Sequence, residues 1–129
     1  MKLTFTKGER LSAKSSIEGL FRGGSSFFIY PYRVVYLLVD KSDSLHPAQA
    51  LVSVPKKKFR SAVARNRIKR KVKEAYRLQK NSLLYPHLNK EQQVLHVAFQ
   101  YVANKDLPFD ILAKGMEGVL KKLANESTR

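Results

Sequence analysis

The stretch SVPKKKFRSAVARNRIKRKVKEAYR, residues 53–77, determines the architecture that this sequence predicts. It begins at the end of an apolar run, Ala48–Val54, which is typical of a β-strand, and Pro55 stops that strand. From Ser61 to about Lys80 there is no Gly or Pro, and apolar residues recur at helical spacing. We therefore predict a strand, a short lysine-rich loop and a long basic helix.

The positive charge of the chain is concentrated in this region. The 129 residues include 25 Lys and Arg and 10 Asp and Glu, which gives a formal net charge of +15. Residues 56–80 contain 12 of the bases and a single acid, Glu74, so +11 of the net charge lies in 25 residues. Such a concentration indicates a polyanionic partner, because charge that only promotes solubility would be more dispersed.

The basic helix has two faces on a helical wheel. One face is an apolar stripe centred on Ile68, and it predicts packing against a sheet. The stripe contains mostly Ala, Ile and Val, whereas a membrane-binding helix would prefer bulkier residues. The opposite face presents cations and one amide: Asn66, Arg70, Lys73 and Arg77, with Lys69 at its edge. The preceding Lys56–Lys58 and Arg60 extend this basic surface to the helix N-terminus, where backbone N–H groups favour phosphate.

The other segments predict an α+β fold with the order α-β-β-β-α-β-α. The predicted elements are a helix starting at the capping box Ser15–Glu18 and ending at Gly23-Gly24, a short strand that begins at Phe27 and ends before Pro31, strands Tyr32–Val39, Ala48–Val54 and Val94–Val102, and a last helix Phe109–Ala124. The short connection Lys41–Pro47 implies that strand Ala48–Val54 runs antiparallel to strand Tyr32–Val39. We expect one sheet with helices mainly on one face, and a single polyanion-binding domain over residues 1–129 with frayed ends.

Several function classes are disfavoured by composition and spacing. The absence of cysteine excludes a disulfide scaffold and a thiolate metal site. No apolar run is long enough to span a bilayer, and the N-terminus does not resemble a signal peptide, so we expect a cytoplasmic protein. His46, His87 and His96 lack metal-ligand spacing, and there is no paired-carboxylate or nucleophile–base motif. We therefore expect neither a catalytic residue nor a metal site in the protein.

The string Ala64–Arg70, ARNRIKR, identifies a family resemblance. Arg-Asn-Arg followed by Ile-Lys-Arg, opening a helix after a strand and a lysine cluster, closely resembles the RNR motif of the bacterial ribonuclease P protein component. The N-terminal pattern Arg10-Leu11, Ile17, Leu20-Phe21-Arg22 and Gly24 is similar as well. The resemblance extends over most of the chain, from about Phe5 to Leu123.

This resemblance implies a fold, an activity and partners. The fold would be a two-layer α/β sandwich with a four-stranded sheet, similar to domain 2 of ribosomal protein S5. Its βαβ crossover would be left-handed, against the general right-handed preference. The protein would be the accessory subunit, monomeric in the holoenzyme, of a ribonucleoprotein endoribonuclease that removes the 5′ leader of precursor tRNA. The partners would be ribonuclease P RNA and precursor tRNA, without membrane or DNA, and Mg²⁺ would be bound mainly by the RNA.

The resemblance also implies candidate site residues. The RNA-binding candidates are Lys56, Lys57, Lys58, Arg60, Arg65, Asn66, Arg67, Lys69, Arg70, Lys73 and Arg77. The candidates for a cleft that binds the leader are Lys14, Ile17, Phe21 and Tyr36, with Ile17 where many relatives have Phe. Two alternatives stay open: Phe21 and Tyr36 as core residues, and Arg65 as a brace of the fold.

Two other functions share part of this pattern. A ribosomal or other structural RNA-binding protein would have similar charge, size and fold, but it would need no aromatic cleft for a single-stranded leader. An autonomous protein nuclease would need clustered acidic metal ligands, which the sequence lacks.

Overall fold

The computed structural model describes residues 4–40, 46–88 and 93–127. In these ranges the chain forms α1 (Lys14–Gly23), β1 (Ser25–Ile29), β2 (Tyr32–Asp40), β3 (Ala48–Ser53), α2 (Ala62–Leu83), β4 (Gln93–Tyr101) and α3 (Phe109–Ser127), with 3₁₀ turns at Lys7–Glu9 and Tyr85–His87. The predicted α+β class and the order of helices and strands are confirmed. Most of the predicted loop Lys41–Pro47 lies outside the described residues.

The four strands form one mixed sheet in the order β1-β2-β4-β3. β2 pairs antiparallel with both β1 and β4, and β3 pairs in parallel with β4. β3 therefore runs opposite to β2, as predicted, but it lies beyond β4 at the edge of the sheet. The long helix α2 makes the connection that places these two parallel strands side by side. The left-handed sense of this crossover stays a prediction of the family resemblance.

The main core lies between the sheet and the helices α2 and α3. Ile68, Val72, Ala75 and Tyr76 of α2 are buried there, which confirms the apolar stripe of the basic helix. α3 adds a second stripe that is also buried: Leu112, Met116, Val119, Leu120 and Leu123. Because α2 inserts its apolar stripe into this core, its opposite face is left to solvent.

Helix α1 covers the other face of the sheet, whereas α2 and α3 share one face, so the helices lie mainly on one face, as predicted. Leu20 of α1 is fully buried against Val35 of β2 and Ala98 of β4, with Leu11 in the same cluster. β4 is buried along nearly its whole length, and a strand that is buried on both faces needs cover on both.

Two predicted helix boundaries differ from the structure. α1 begins at Lys14 without a side-chain cap, so Ser15 and Glu18 do not form its capping box. The capping pattern instead occurs at Thr6 and Glu9, where the Thr6 backbone N–H donates to Glu9 Oε1 at 3.0 Å. At the other end, α3 continues through Ser127, and the residues from Asn125 to Ser127 expected to fray are helical.

Candidate nucleic-acid interface

The loop before α2 presents three consecutive lysines. Lys56, Lys57 and Lys58 are exposed between β3 and α2, and Arg60 is exposed just after them. Lys58 Nζ donates to the Val102 carbonyl at 2.7 Å, which ties the loop to the end of β4. The Ser61 hydroxyl caps α2 by accepting from the Ala64 N–H at 3.3 Å. The lysines therefore lie next to the N-terminal end of the helix, as the sequence predicted.

Arg65, the first arginine of the RNR string, braces the loop. Its guanidinium donates to the carbonyl oxygens of Phe59 at 2.8 Å and of Arg60 at 2.9 Å. Both acceptors are neutral backbone groups, so the charge of Arg65 is not neutralised. The geometry supports the alternative role, in which Arg65 holds the lysine loop against α2.

Arg67, the second arginine of the RNR string, points toward the start of α3. Its Nε lies 2.8 Å from Asp106 Oδ2, and Lys71 contacts the same carboxylate. Burial opposes ionisation of Asp106, but hydrogen bonds from Lys71 and Arg67 outweigh it and hold the pKa of Asp106 below its usual value. Arg67 is therefore directed away from the groove described next, although more than half of its side chain is exposed.

The remaining polar residues of the string and Lys73, one turn beyond it, line a groove that we call the basic groove. Asn66, Lys69, Arg70 and Lys73 project from successive turns of α2. Together with Arg10, from the segment before α1, they enclose a cavity of about 360 Å³. An adjoining cavity of about 270 Å³ shares Arg10, Lys69 and Lys73 and extends over the edge strand β3 to Phe5.

The electrostatics of the basic groove favour an anion. None of its lining residues, all within the described part of the chain, is acidic. Burial lowers the pKa of Lys73, and the neighbouring charges of Arg10 and Lys69 lower it further. Cations that repel one another in this way are stabilised by an opposite charge placed between them, such as a phosphate group.

Arg10 is the residue of this groove that the sequence did not predict as an RNA contact. It is distant from α2 in the chain, and it reaches the groove because its segment adds to the sheet edge beside β3. The Leu11 N–H donates to the Ala50 carbonyl at 2.9 Å, and Arg10 forms an isolated bridge with Ala50. The family resemblance included the dipeptide Arg10-Leu11, but no local sequence pattern indicated that this segment pairs with β3.

Arg77, the last cation of the predicted face, lies one turn beyond the groove. It forms an ion pair with Glu74, three residues earlier on α2. It does not line either cavity of the basic groove.

A second surface lies beside α1, and we call it the strip. Strand register places Phe28, Arg33, Gln100 and Ser53 in one row across all four strands. Arg33 donates to Gln100 Oε1 at 2.9 Å, which confirms that these two side chains share a face. The row therefore combines an aromatic ring, a cation and two polar groups.

The α1 flank that borders the strip carries the predicted cleft residues. With Leu20 buried beneath the helix, Lys14, Ile17 and Phe21 fall on one flank at 100° per residue. Ser16 and Gly19 fall on the other flank, where they line a cavity of about 380 Å³ with Val39 and His96, at the opposite end of β2 from the strip. Phe21 is 42% exposed, so it is available to a ligand.

Tyr36, unlike the other predicted cleft residues, lies on the opposite face of the sheet from α1, so the prediction that it lines the cleft is corrected. It alternates with Val35 and packs against the core on the α2 and α3 face, with its ring 5.9 Å from that of Phe27. The residue that meets α1 is Val35, because neighbouring side chains of a strand point to opposite faces. Phe28, 60% exposed, is the aromatic of the strip that sequence reasoning missed; its alternation with Phe27 was the available signal.

The described residues contain neither a metal-binding cluster nor a membrane-spanning helix. Within residues 4–40, 46–88 and 93–127, no group of three or more His, Asp or Glu side chains is arranged to hold a metal ion. The helices of these ranges include none with the length and apolar character required to cross a membrane.

Comparisons with known proteins agree with one another. The model of the family described as Ribonuclease P matches residues 5–124. The ribonuclease P protein component of Porphyromonas gingivalis is 40% identical over 119 residues, covering 92% of this chain and 85% of the relative. That of Clostridioides difficile is 30% identical over 120 residues, covering 93% of this chain and 96% of the relative.

Solved structures show the same fold. The RNase P protein of Staphylococcus aureus superposes with a TM-score of 0.65 at 21% identity, over 94% of this chain and 98% of the other. The protein of Thermotoga maritima superposes with a TM-score of 0.67 at 18% identity, over 88% of this chain and 96% of the other.

Proposed function

This chain belongs to the ribonuclease P protein family and is the accessory subunit of that ribonucleoprotein endoribonuclease in tRNA 5′ processing, and we propose that it acts through the basic groove and the strip. The comparisons give no support to the alternative of a ribosomal or other structural RNA-binding protein. The observation that carries the proposal is the acid-free groove formed by Arg10 and the RNR helix.

We assign the basic groove to ribonuclease P RNA. Lys69, Arg70 and Lys73 project from one helix face. Along the axis, Lys73 lies about 4.5 Å from Arg70 and about 6 Å from Lys69, so cations on successive turns can contact neighbouring phosphates of a strand. Asn66 adds a neutral donor and acceptor at the same face. The exposed lysines Lys56 and Lys57 extend the positive surface, and Arg65 braces the loop that carries them.

We assign the strip to the single-stranded 5′ leader of precursor tRNA. Phe21 on α1 and Phe28 on β1 are exposed aromatic rings, which stack on bases of any sequence. Arg33, which is opposite Phe28 in the strand register, provides a cation for the leader backbone. Ile17 offers an apolar contact in place of a ring, so stacking here depends on Phe21 and Phe28.

We place the catalytic metal ions, Mg²⁺ by expectation, with the RNA. Mg²⁺ prefers oxygen ligands, above all carboxylates and phosphates. The residues of the basic groove are cations and one amide, and they do not fit such an ion. The role of the protein is therefore to bind and orient RNA. We further propose a cytoplasmic location and one copy of the chain in each holoenzyme.

The first test is reconstitution. Purified protein is added to a bacterial ribonuclease P RNA and precursor tRNA at low Mg²⁺, and the rate of 5′ cleavage is measured. We expect faster cleavage with the protein than with RNA alone. An unchanged rate across protein concentrations would overturn the proposed function.

The second test compares two arginines of one helix. Arg70→Ala removes a cation from the basic groove, and Arg67→Ala removes one that contacts Asp106. We expect Arg70→Ala to reduce the slope of log affinity for the RNA against log salt by about 0.9, the value for one phosphate contact. Arg67→Ala is the charge-matched control, and an equal loss in both would contradict the assignment of the groove.

The third test concerns the leader. We expect Phe28→Ala to weaken binding of precursor tRNA to the holoenzyme by about 1–3 kcal/mol and to leave binding of tRNA without a leader unchanged. Tyr36→Leu, which replaces a ring on the opposite face, is the control. If Tyr36→Leu weakens leader binding and Phe28→Ala does not, the strip is assigned wrongly.

A further inference from the structure

A buried acid fixes the segment that contains Arg10. Glu9 is 3% exposed and Lys80, near the end of α2, is 2% exposed; the two form an ion pair. The Tyr85 hydroxyl donates to the same carboxylate oxygen of Glu9 as Lys80 does. The other oxygen accepts from the Thr6 backbone N–H at 3.0 Å and from the Thr6 hydroxyl at 3.1 Å. We call these four residues the Glu9 anchor.

Arg10 follows directly and is held on its other side by the sheet. Its N–H donates to the Lys7 carbonyl at 3.2 Å, and Leu11 is bound to the edge strand β3. The Arg10 guanidinium lies 5.5 Å from the centre of the Phe5 ring, which packs edge-on against Tyr76 at 5.4 Å. The backbone of Arg10 is therefore held by the 3₁₀ turn and by β3, and its side chain lies toward α2.

A buried ion pair such as that of Glu9 and Lys80 is a poor means of stabilising a protein if stability is its only role. Removing two charges from water costs much of what their attraction returns, and apolar residues of similar size often stabilise a protein as well or better. A charged pair has a fixed geometry, however. Here the pair joins Lys80 of α2 to Glu9, and Glu9 is the residue before Arg10, a cation of the basic groove. This favours a role in placing Arg10.

We propose that Glu9 is a positioning residue for RNA binding: through the Glu9 anchor it holds Arg10 beside Lys69 and Lys73, where Arg10 binds a phosphate of ribonuclease P RNA. The inference rests on the proposed function of the basic groove. It adds to that function a contact from outside the RNR helix and a buried residue on which the contact depends. The planar guanidinium of Arg10 can donate two hydrogen bonds to a phosphate that Lys69 and Lys73 contact from the side of α2.

The test is a double-mutant cycle on affinity for ribonuclease P RNA. It uses the full chain, Arg10→Ala, Glu9→Gln and the double variant, each confirmed as folded by circular dichroism. We expect Arg10→Ala to weaken binding roughly tenfold, as for a lost charge-assisted contact, and to reduce the salt slope by about 0.9. Glu9→Gln should weaken binding in the same direction, and the double variant should bind no more weakly than Arg10→Ala.

Controls separate positioning from a general loss of structure. Val119→Ala alters a buried core residue of α3. Its effect on the affinity for RNA should be independent of Arg10→Ala, so that the two effects add in the same cycle. If Glu9→Gln does not fold, Tyr85→Phe removes one hydrogen bond of the Glu9 anchor and takes its place in the cycle. Losses that add fully in the double variant would overturn the positioning role.

Lys69→Ala distinguishes this inference from the proposed function. If Lys69→Ala weakens RNA binding and Arg10→Ala does not, the inference fails and the basic groove stands. If neither variant changes the affinity or the salt slope, the groove assignment fails, and the inference fails with it.

Discussion

Acid should destabilise the folded protein mainly through one buried carboxylate, that of Glu9. Burial by itself would raise the pKa of Glu9, but hydrogen bonds from Lys80, the Thr6 N–H and Tyr85 outweigh burial and lower the pKa from 4.5 to about 2. Tyr85 stays neutral throughout this range, because burial raises the pKa of Tyr85 above its usual value. The carboxylate of Glu9 is therefore the titrating group of the Glu9 anchor.

The pKa difference gives the size and the sign of the effect. A group with a lower pKa in the folded state stabilises the protein above its unfolded pKa, and the stabilisation is lost as pH falls toward the folded pKa. The drop from 4.5 to about 2 corresponds to about 3 kcal/mol, at 1.36 kcal/mol for each pKa unit. We expect this contribution to be present at pH 6 and mostly lost by about pH 2.5.

The assay is urea unfolding of the unmodified chain and of Glu9→Gln at several pH values from 6 to 2.5. The difference in unfolding free energy between the two proteins should shrink by about 3 kcal/mol as the pH falls. Other carboxylates titrate in both proteins and cancel in the difference. Glu117→Gln, at an exposed acid paired with Lys121 on α3, is the control and should show little pH-dependent difference. A difference for Glu9→Gln that stays constant over this range would refute the reasoning.

Three further variants test the packing and the bracing contacts. Leu20→Ala should lower the free energy of unfolding by about 2–5 kcal/mol in urea, because it leaves a cavity under α1; a loss well under 1 kcal/mol would mean that α1 does not cover the sheet. Arg65→Lys should cost about 1 kcal/mol by weakening the two bonds to loop carbonyls while keeping the charge, and heteronuclear NMR should show a more mobile lysine loop; unchanged loop dynamics would contradict the bracing role. Asp106→Asn should cost less than about 1 kcal/mol at pH 7, since its ion pairs are partly exposed; a cost of several kcal/mol would show that they are effectively buried.

The sequence by itself determined the basic helix, its two faces and the order of the elements. These are local properties: a helical period is visible within one segment, and a buried stripe around Ile68 implies that Arg70 and Lys73 face outward. The string Ala64–Arg70 also identified the family, since it is contiguous in the chain.

The tertiary structure alone decided which residues act together. Arg65, Arg67 and Arg70 lie within six positions, yet they contact loop carbonyls, Asp106 and the basic groove respectively, because their partners come from distant parts of the chain. Arg10 joins the groove only through pairing at the edge of β3.

The assignment of each strand side chain to one face of the sheet also required the tertiary structure, but for a different reason. A strand alternates with a period of two, so an error of one position moves a side chain to the other face. That single step separates Tyr36, in the α3-side core, from Val35, under α1. Composition revealed the aromatic residues and cations, whereas strand register and the buried Glu9 anchor decided which of them meet in one surface.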